Sequence, residues 1–258
     1  MSAILCGSLC LQILEDRLGR PVKTVKSECK NSHNSRILPN FVPTFIKYLI
    51  LMIEIKDAKK EQSADIARMI MMAMTDDCCL HFCGVGHGLD DFHRMMTSLV
   101  EREDSQYSYR NTLVAMDAGN LVGIAISYDG GRLHELRQAF IGAAKEQIGK
   151  DHSGMDDETQ AGELYLDSLA VLPEYRRQGI ARRLLIATKE KADQMGQPCL
   201  GLLVDKGNPA GESLYSSVGF RYANDSSWGG HPMKHMIWVT PQSLCLATGP
   251  SLGYEFFN

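Results

Sequence analysis

The chain of 258 residues has no strong excess of either charge: 27 Lys and Arg stand against 31 Asp and Glu, a formal net charge of −4. That balance gives no overall footing for nucleic acid or for an anionic membrane surface. Its 23 Gly and 9 Pro are an ordinary share, which excludes collagen-like and low-complexity chains. The apolar run 45–55, interrupted by Lys47 and Glu54, is too short to span a bilayer. No basic segment precedes the short run 9–14 and no small-residue cleavage site is clear, so a secretory signal is not expected. No internal repeat is visible. Paired C-x₂-C knuckles are missing as well. The 8 Cys fall at irregular spacings, which reads as reduced thiols in a cytoplasmic protein rather than a disulfide framework.

What is present is a core-forming composition, 44% apolar and 22% charged, unevenly arranged along the chain. Residues 1–51 carry a basic excess and no sustained period, and read as an N-terminal extension without a packed core. Residues 241–258 read as a C-terminal tail. Between them, 52–240 alternates regularly. A strand is expected at 52–56, helices around 64–74 and 92–100, and a hairpin of 112–116 with 121–126. A helix at 133–148 and a polar stretch 150–160 follow. Strands at 163–171 and 200–204 flank a helix from 177 to about 195. A short helix at 209–217, a strand near Phe220 and a last strand at 233–239 close the pattern. Hairpin first, then strand–helix alternation, predicts an α+β fold with a mixed sheet.

The most informative stretch is 164–187, where a strand runs into Pro173 and the helix opens on Arg176-Arg177-Gln178-Gly179-Ile180-Ala181. A helix start offers unpaired N–H groups and positive partial charge to phosphate oxygens. No GxxxxGK[ST] is present, nor three spaced glycines, so neither a P-loop nor the dinucleotide fingerprint applies. A solvated Arg face on an ordinary helix is the competing reading.

Arg176-x-x-Gly179-x-Ala181, after a strand ending in Val171-Leu172-Pro173, resembles the acetyl-CoA signature of the GCN-type (GNAT superfamily) N-acetyltransferases. A second block, Asn208 followed by Leu214-Tyr215 and Gly219-Phe220, is similar to that family's N-x-x-A-x-x-L-Y-x-x-x-G-F, with Gly211 in place of the usual Ala. The resemblance implies a central twisted mixed sheet, splayed between the fourth and fifth strands and flanked by helices. Acetyl-CoA, as cosubstrate, would lie in that splay. The backbones of Leu169 and Val171 would pair with its pantetheine, and Arg177, Gln178, Gly179, Ile180 and Ala181 would hold its pyrophosphate beside Arg176. Asn208 would bond the cofactor or hold the cleft. Tyr215 would act as general acid, and an N–H near Ala170 or Val171 would face the oxyanion. The alternative for Tyr215 is a ring packed beneath Gly219-Phe220.

A base is expected on the fourth strand, where Glu163, Tyr165 and Asp167 share a face by period-two alternation. Asp167 would lie nearer the cofactor edge and Glu163 nearer the mouth; either could be a plain surface pair. The acidic run Asp156-Asp157-Glu158, the segment 76–92 read as a loop, and the helix 133–148 would shape the mouth, the run being otherwise a solvated loop. The cluster from Cys78 to His87 does not match metal-ligand spacing, so no metal is expected there. His231 and His235 read as residues of a strand start. Trp228 would line the acceptor pocket or pack on the sheet. The function so implied is acetyl transfer to a primary amine of a small molecule, in a ternary complex. Nucleic-acid and membrane partners are not expected, and homodimers are common in the family. The competing classes are a non-catalytic acyl-CoA sensor or scaffold and a protein or peptide N-acetyltransferase.

Overall fold

The computed structural model describes residues 53–243. The expectations for 1–51 and for the tail beyond 243 lie outside the described residues. Strands β1 (Glu54–Asp57), β2 (Thr112–Asp117), β3 (Asn120–Asp129), β4 (Glu163–Val171), β5 (Cys199–Asp205), β6 (Arg221–Trp228) and β7 (His231–Val239) form one sheet. Its order is β1-β2-β3-β4-β5-β7-β6. Every neighbouring pair is antiparallel except β4–β5. The helices are α1 (Ser63–Met74), α2 (Asp76–Phe82), α3 (Leu89–Val100), α4 (Leu133–Gln147), α5 (Ile180–Gln194) and α6 (Pro209–Ser217). The α+β architecture with a mixed sheet is therefore the one expected.

Each face of the sheet has its own core. Ile180, Leu184 and Leu185 of α5 pack with Leu164, Leu166, Leu200, Leu202 and Met236 on one face. Ile66 and Ile70 of α1, Phe92, Met95 and Leu99 of α3 and Phe140 of α4 pack with Ile124 and Ile126 on the other. Apolar positions at i, i+3 and i+4 on each helix are what turn these faces inward.

Two local features position the cleft. β4 and β5 pair only at Glu163–Cys199, Leu164–Leu200 and Tyr165–Gly201, although β4 continues to Val171. On the other edge of β4, Ile126 faces Ser168 while Ser127 faces Leu166, so Asp167 is an extra, bulged residue. A bulge bends its strand and re-aims the side chains beyond it. Here it inverts the parity: Leu164 and Leu166 before it, and Leu169 and Val171 after it, all belong to the α5 core, whereas Ala170 falls in the other. The strict alternation expected along β4 thus ends at Asp167.

The segment 76–92 is not a single loop. α2 occupies Asp76–Phe82; the Thr75 hydroxyl accepts the Cys78 N–H at 3.4 Å, and Asp76 and Asp77 occupy the first turn. Cys79 and Phe82 are its buried face. One turn-pair of apolar residues is too short a pattern to register as a period.

Candidate active site

β4 leaves the sheet through Leu172 and a turn at Pro173–Tyr175. Arg177 (φ 62°) and Gly179 (φ 81°) then take left-handed conformations before α5 begins at Ile180. Glycine accepts such a φ without penalty, which lets the chain turn directly into α5. No described side chain caps this helix. Its first N–H groups have no intrahelical acceptor, and a Cβ at Gly179 would meet nothing within 4 Å. Uncapped donors, a positive helix end and open space fit a pyrophosphate. The neighbouring arginines are partly committed. Arg176 Nε donates to the Val171 carbonyl at 3.1 Å, and Arg182 donates to the Ser217 carbonyl at 3.0 Å, tying α5 to α6. Gln178 Nε2 donates to the Glu174 carbonyl at 3.1 Å.

The Leu172 N–H donates to the Val122 carbonyl at 3.0 Å. Antiparallel pairs alternate between bonded and non-bonded, so Ala170 also turns its backbone groups to β3, whereas Leu169 and Val171 turn theirs to the edge that β5 has left. Arg176 takes the Val171 carbonyl; the Val171 N–H and the Leu169 groups remain for a ligand strand. At the far side of the cleft, Asn208 caps α6 by accepting the Gly211 N–H at 2.9 Å. A Cβ at residue 211 would lie 2.7 Å from Asn208 Nδ2, so Gly211 suits the cap and the helix start is intact. Tyr215, half-buried on α6, meets the Phe220 ring edge-to-face at 5.9 Å. Burial pushes its phenol up to about 12.

Asp167 lies half-buried on the bulge, just beyond the point where β4 and β5 part. Desolvation, and then the nearby Glu158 carboxylate, push its carboxyl up to about 7, against the pull of the Ser168 hydroxyl, the Gln106 amide and Arg137. The Ser168 hydroxyl donates to it at 2.7 Å.

Residues 89–220 match the model of the acetyltransferase (GNAT) family. The chain belongs to that family. Among solved structures it is similar to a crystal structure described as an acetyltransferase, 26% identical with a TM-score of 0.62, over 72% of this chain and 99% of the other. It is also similar to an N-acetyltransferase from Staphylococcus aureus Mu50, 21% identical with a TM-score of 0.60, over 72% of this chain and 100% of the other. No curated protein matches.

In this GNAT protein Asp167 lies at the opened edge of β4, as expected, but Glu163 is placed differently from the expectation. Glu163 is not at the mouth but at the closed root, where β4 and β5 still pair. It is buried, accepts the Thr159 hydroxyl at 2.6 Å and meets His235 Nε2 at 2.8 Å. Gly201, the β5 partner of Tyr165, is required by that approach, because a methyl there would overlap the Glu163 carboxylate. His235, in mid-strand, bridges on to Asn224 Oδ1 at 3.2 Å, so it is a buried polar link and not a strand-start residue; His231 does begin β7.

The acidic run is not a solvated loop either. Glu158 is buried against the buried Arg137 of α4 and accepts the Tyr128 hydroxyl at 2.9 Å. Arg137 also holds Asp157 at 3.1 Å and the Asp156 carbonyl at 2.9 Å. Asp156 Oδ2 accepts the Gly229 N–H of the β6–β7 turn at 3.1 Å, and Trp228 beside it stacks on Phe82 of α2 at 6.1 Å. The segment 149–161 is thereby clasped to α4 and to the β6–β7 hairpin. Sequence reasoning missed Gln106, Arg137 and Tyr128 altogether; none sits in a motif, and only their convergence on Glu158 in space marks them.

Among the described residues no group of three His, Cys, Asp or Glu is arranged for a metal ion, and no helix is long and apolar enough to cross a membrane. Cys78, Cys79, Cys83 and Cys199 are free thiols; burial pushes Cys79 up to about 12.

Proposed function

We propose that this GNAT protein transfers the acetyl group of acetyl-CoA to a primary amine of a small molecule, by direct attack in a ternary complex. The observation that carries this reading is the junction at Asp167. There the cleft between β4 and β5 opens, the free edge of Leu169 and Val171 leads to the uncapped start of α5, and a carboxyl titrating near neutrality is at hand. Acetyl-CoA supplies an activated thioester; the chain supplies its place and the proton transfers. Leu169 and Val171 pair with the pantetheine as an added strand, and the N–H groups of 177–181 take the pyrophosphate, with Asn208 holding the opposite wall.

Asp167 takes a proton from the incoming ammonium, because a base near neutral pKa is best matched to that task. An N–H of this free edge that the pantetheine leaves unpaired faces the oxygen on which charge develops. Tyr215, protonated throughout the working range, gives its proton to the departing sulfur. Glu163 acts at the root, holding β4 to β7 through His235. The bonding of segment 149–161 to α4 and to the hairpin is what we take to support a small acceptor over a peptide. The free thiols support a cytoplasmic setting.

The test is thiol release from acetyl-CoA against pooled polyamines, amino acids, aminoglycosides and short peptides. Turnover with a small-amine pool is expected. Acetyl-CoA binding with no pool above hydrolysis would favour a sensor, and turnover with peptides alone would favour a protein acetyltransferase.

A further inference from the structure

Gln106 lies in a buried segment between α3 and β2, with Ser105, Tyr107 and Ser108 also buried around it. Asn111 Nδ2 donates to the carbonyls of Ser105 and Gln106, each at 3.1 Å, which fixes the backbone there. The Gln106 side-chain amide is 2% exposed; its Nε2 donates to Glu158 Oε1 at 3.3 Å, and it lies near enough to Asp167 to favour the ionised carboxyl there. Its orientation follows from chemistry, since the reversed amide would set an acceptor against two carboxylates. The side-chain carbonyl, Oε1, is left buried with no donor. A buried acceptor without a donor costs about 1–3 kcal/mol, and this one belongs to the group that bridges the two carboxylates.

Charge points the same way. The groups facing Asp167 are Glu158 from the segment after α4, Arg137 from α4, Tyr107 from the segment before β2, Tyr128 from β3 and Tyr165 from β4. Arg137 and Glu158 neutralise one another in direct contact. The Arg137 Nε–H is also without a partner, but its two amino groups already meet four oxygens. With Asp167 ionised, the single guanidinium of Arg137 stands against Glu158, Asp157 and Asp167, so the cluster is negative in excess, beside one acceptor lacking a donor. A ligand that answers both brings one positive charge and several N–H donors. Of the cluster, Asp167 is the part that is only half-buried, and it is the point of entry.

We propose that Gln106 Oε1 and the Asp167 carboxylate form an ammonium subsite, which takes a primary amine on an uncharged stem. Glu158 and Arg137 act as positioning residues that hold Gln106 over Asp167. The proposal rests on the acetyl-transfer reading for the fate of the amine, but not for its binding. It excludes free amino acids as good acceptors, because their carboxylate would face Asp167 and Glu158, and it excludes alcohols, which bring no charge.

The decisive comparison uses the unmodified full chain saturated with CoA. Butylamine and phenethylamine, their N,N,N-trimethyl analogues and an α-amino acid are titrated calorimetrically and, where turnover occurs, as competitors. The trimethyl forms keep the charge but have no N–H for Gln106. Primary amines are expected to bind at least tenfold tighter than their trimethyl analogues and than the amino acid. Equal or tighter binding of the trimethyl forms, or no binding of either primary amine, overturns the subsite. Failure of the acetyl-transfer reading looks different: primary amines bind with the expected preference, yet no thiol is released. In a second arm, Gln106→Leu should weaken primary-amine binding at least tenfold while leaving trimethyl binding and CoA binding within twofold. Parallel loss of both amine series by a protein that still binds CoA would make Gln106 merely structural and overturn its assigned contact.

Discussion

The Lys191 ammonium lies 3.1 Å from both the carbonyl oxygen and the hydroxyl of Ser127, the β3 residue at which the register with β4 shifts. It also donates to the Asn111 carbonyl at 3.2 Å. One side chain from the last turn of α5 thus satisfies the backbone on the partner side of the bulge, and ties the C-terminal end of the helix to the strand geometry beside Asp167. Burial pulls the ammonium down to about 8.

Lys191→Met should therefore lower stability, since it strands the Ser127 and Asn111 carbonyls without a donor, at a cost on the order of 1–3 kcal/mol. The sign with pH follows from the folded ammonium titrating near 8 and the unfolded one near about 10.4. Between those values the folded protein binds fewer protons, so wild-type stability rises with pH through that window, and the variant should lose the rise. Urea denaturation at pH 7.5 and 10 measures both; a variant as stable as wild type at each pH would show that Lys191 does not brace the bulge.

Tyr215→Phe keeps the ring against Phe220 and removes only the hydroxyl. Loss of a general acid typically costs about 10²–10⁴-fold in rate, so kcat should fall within that range while the melting temperature and acetyl-CoA affinity stay as they were. Because the phenol titrates near 12, wild-type activity should show no alkaline decline assignable to it below about pH 11. Steady-state rates from pH 6 to 10 check both points, and full turnover in the variant would move the acid elsewhere.

What could be read in advance was what is local. The block from Arg176 to Ala181 and the block from Asn208 to Phe220 each complete their geometry within about a dozen residues. The left-handed Gly179, the Asn208 cap and the Tyr215–Phe220 contact accordingly lay within the two recognised motifs. A bulge is the usual device for opening such a strand edge, but its place at Asp167 was not legible, because a two-residue period cannot report an extra residue defined only by pairing with β3, some 40 positions away. Glu158 read as part of a run that either shapes the mouth or is solvated, for a similar reason. Its neutralising partner, Arg137, is 21 positions earlier on a different element. Glu163 and His235, 72 positions apart, are hidden by the same distance. Gln106 carried no signal at all, since an isolated glutamine among serines and tyrosines specifies nothing until two carboxylates converge on it.

Gly179→Val separates cofactor binding from the acceptor side. A Cβ at residue 179 would meet no protein atom within 4 Å, so the substitution acts through conformation and through the ligand's space. A β-branched residue at φ 81° is strained, by about 1–3 kcal/mol, and it relaxes by turning the first N–H groups of α5 away from the cleft. The KM for acetyl-CoA should rise at least tenfold with little change in the KM for the amine. Initial rates over a grid of both substrates distinguish this from a general loss, which would raise both constants together.

Asp167→Asn should make the protein less active and more stable, and the two effects have one cause. The wild-type carboxyl titrates near 7 in the folded protein and near about 3.9 when unfolded. Between those values the folded state binds more protons, so wild-type stability falls as pH rises through the window and is lowest above it. Asparagine carries no charge to desolvate. The variant should match wild type near pH 4 and exceed it at pH 8, by an amount on the order of 2–4 kcal/mol. Activity should move the opposite way. Wild-type kcat/KM rises with pH to a plateau above about 7 as the base ionises, and the variant should lose both that limb and about 10²-fold or more of the rate. Chemical denaturation at pH 4.5 and 8, paired with a pH–rate profile from 5.5 to 9, reads the two together. A variant that retained the acidic limb would place the base on another group, while one that gained no stability at pH 8 would mean that Asp167 is already neutralised there, and so could not take the proton of an ammonium.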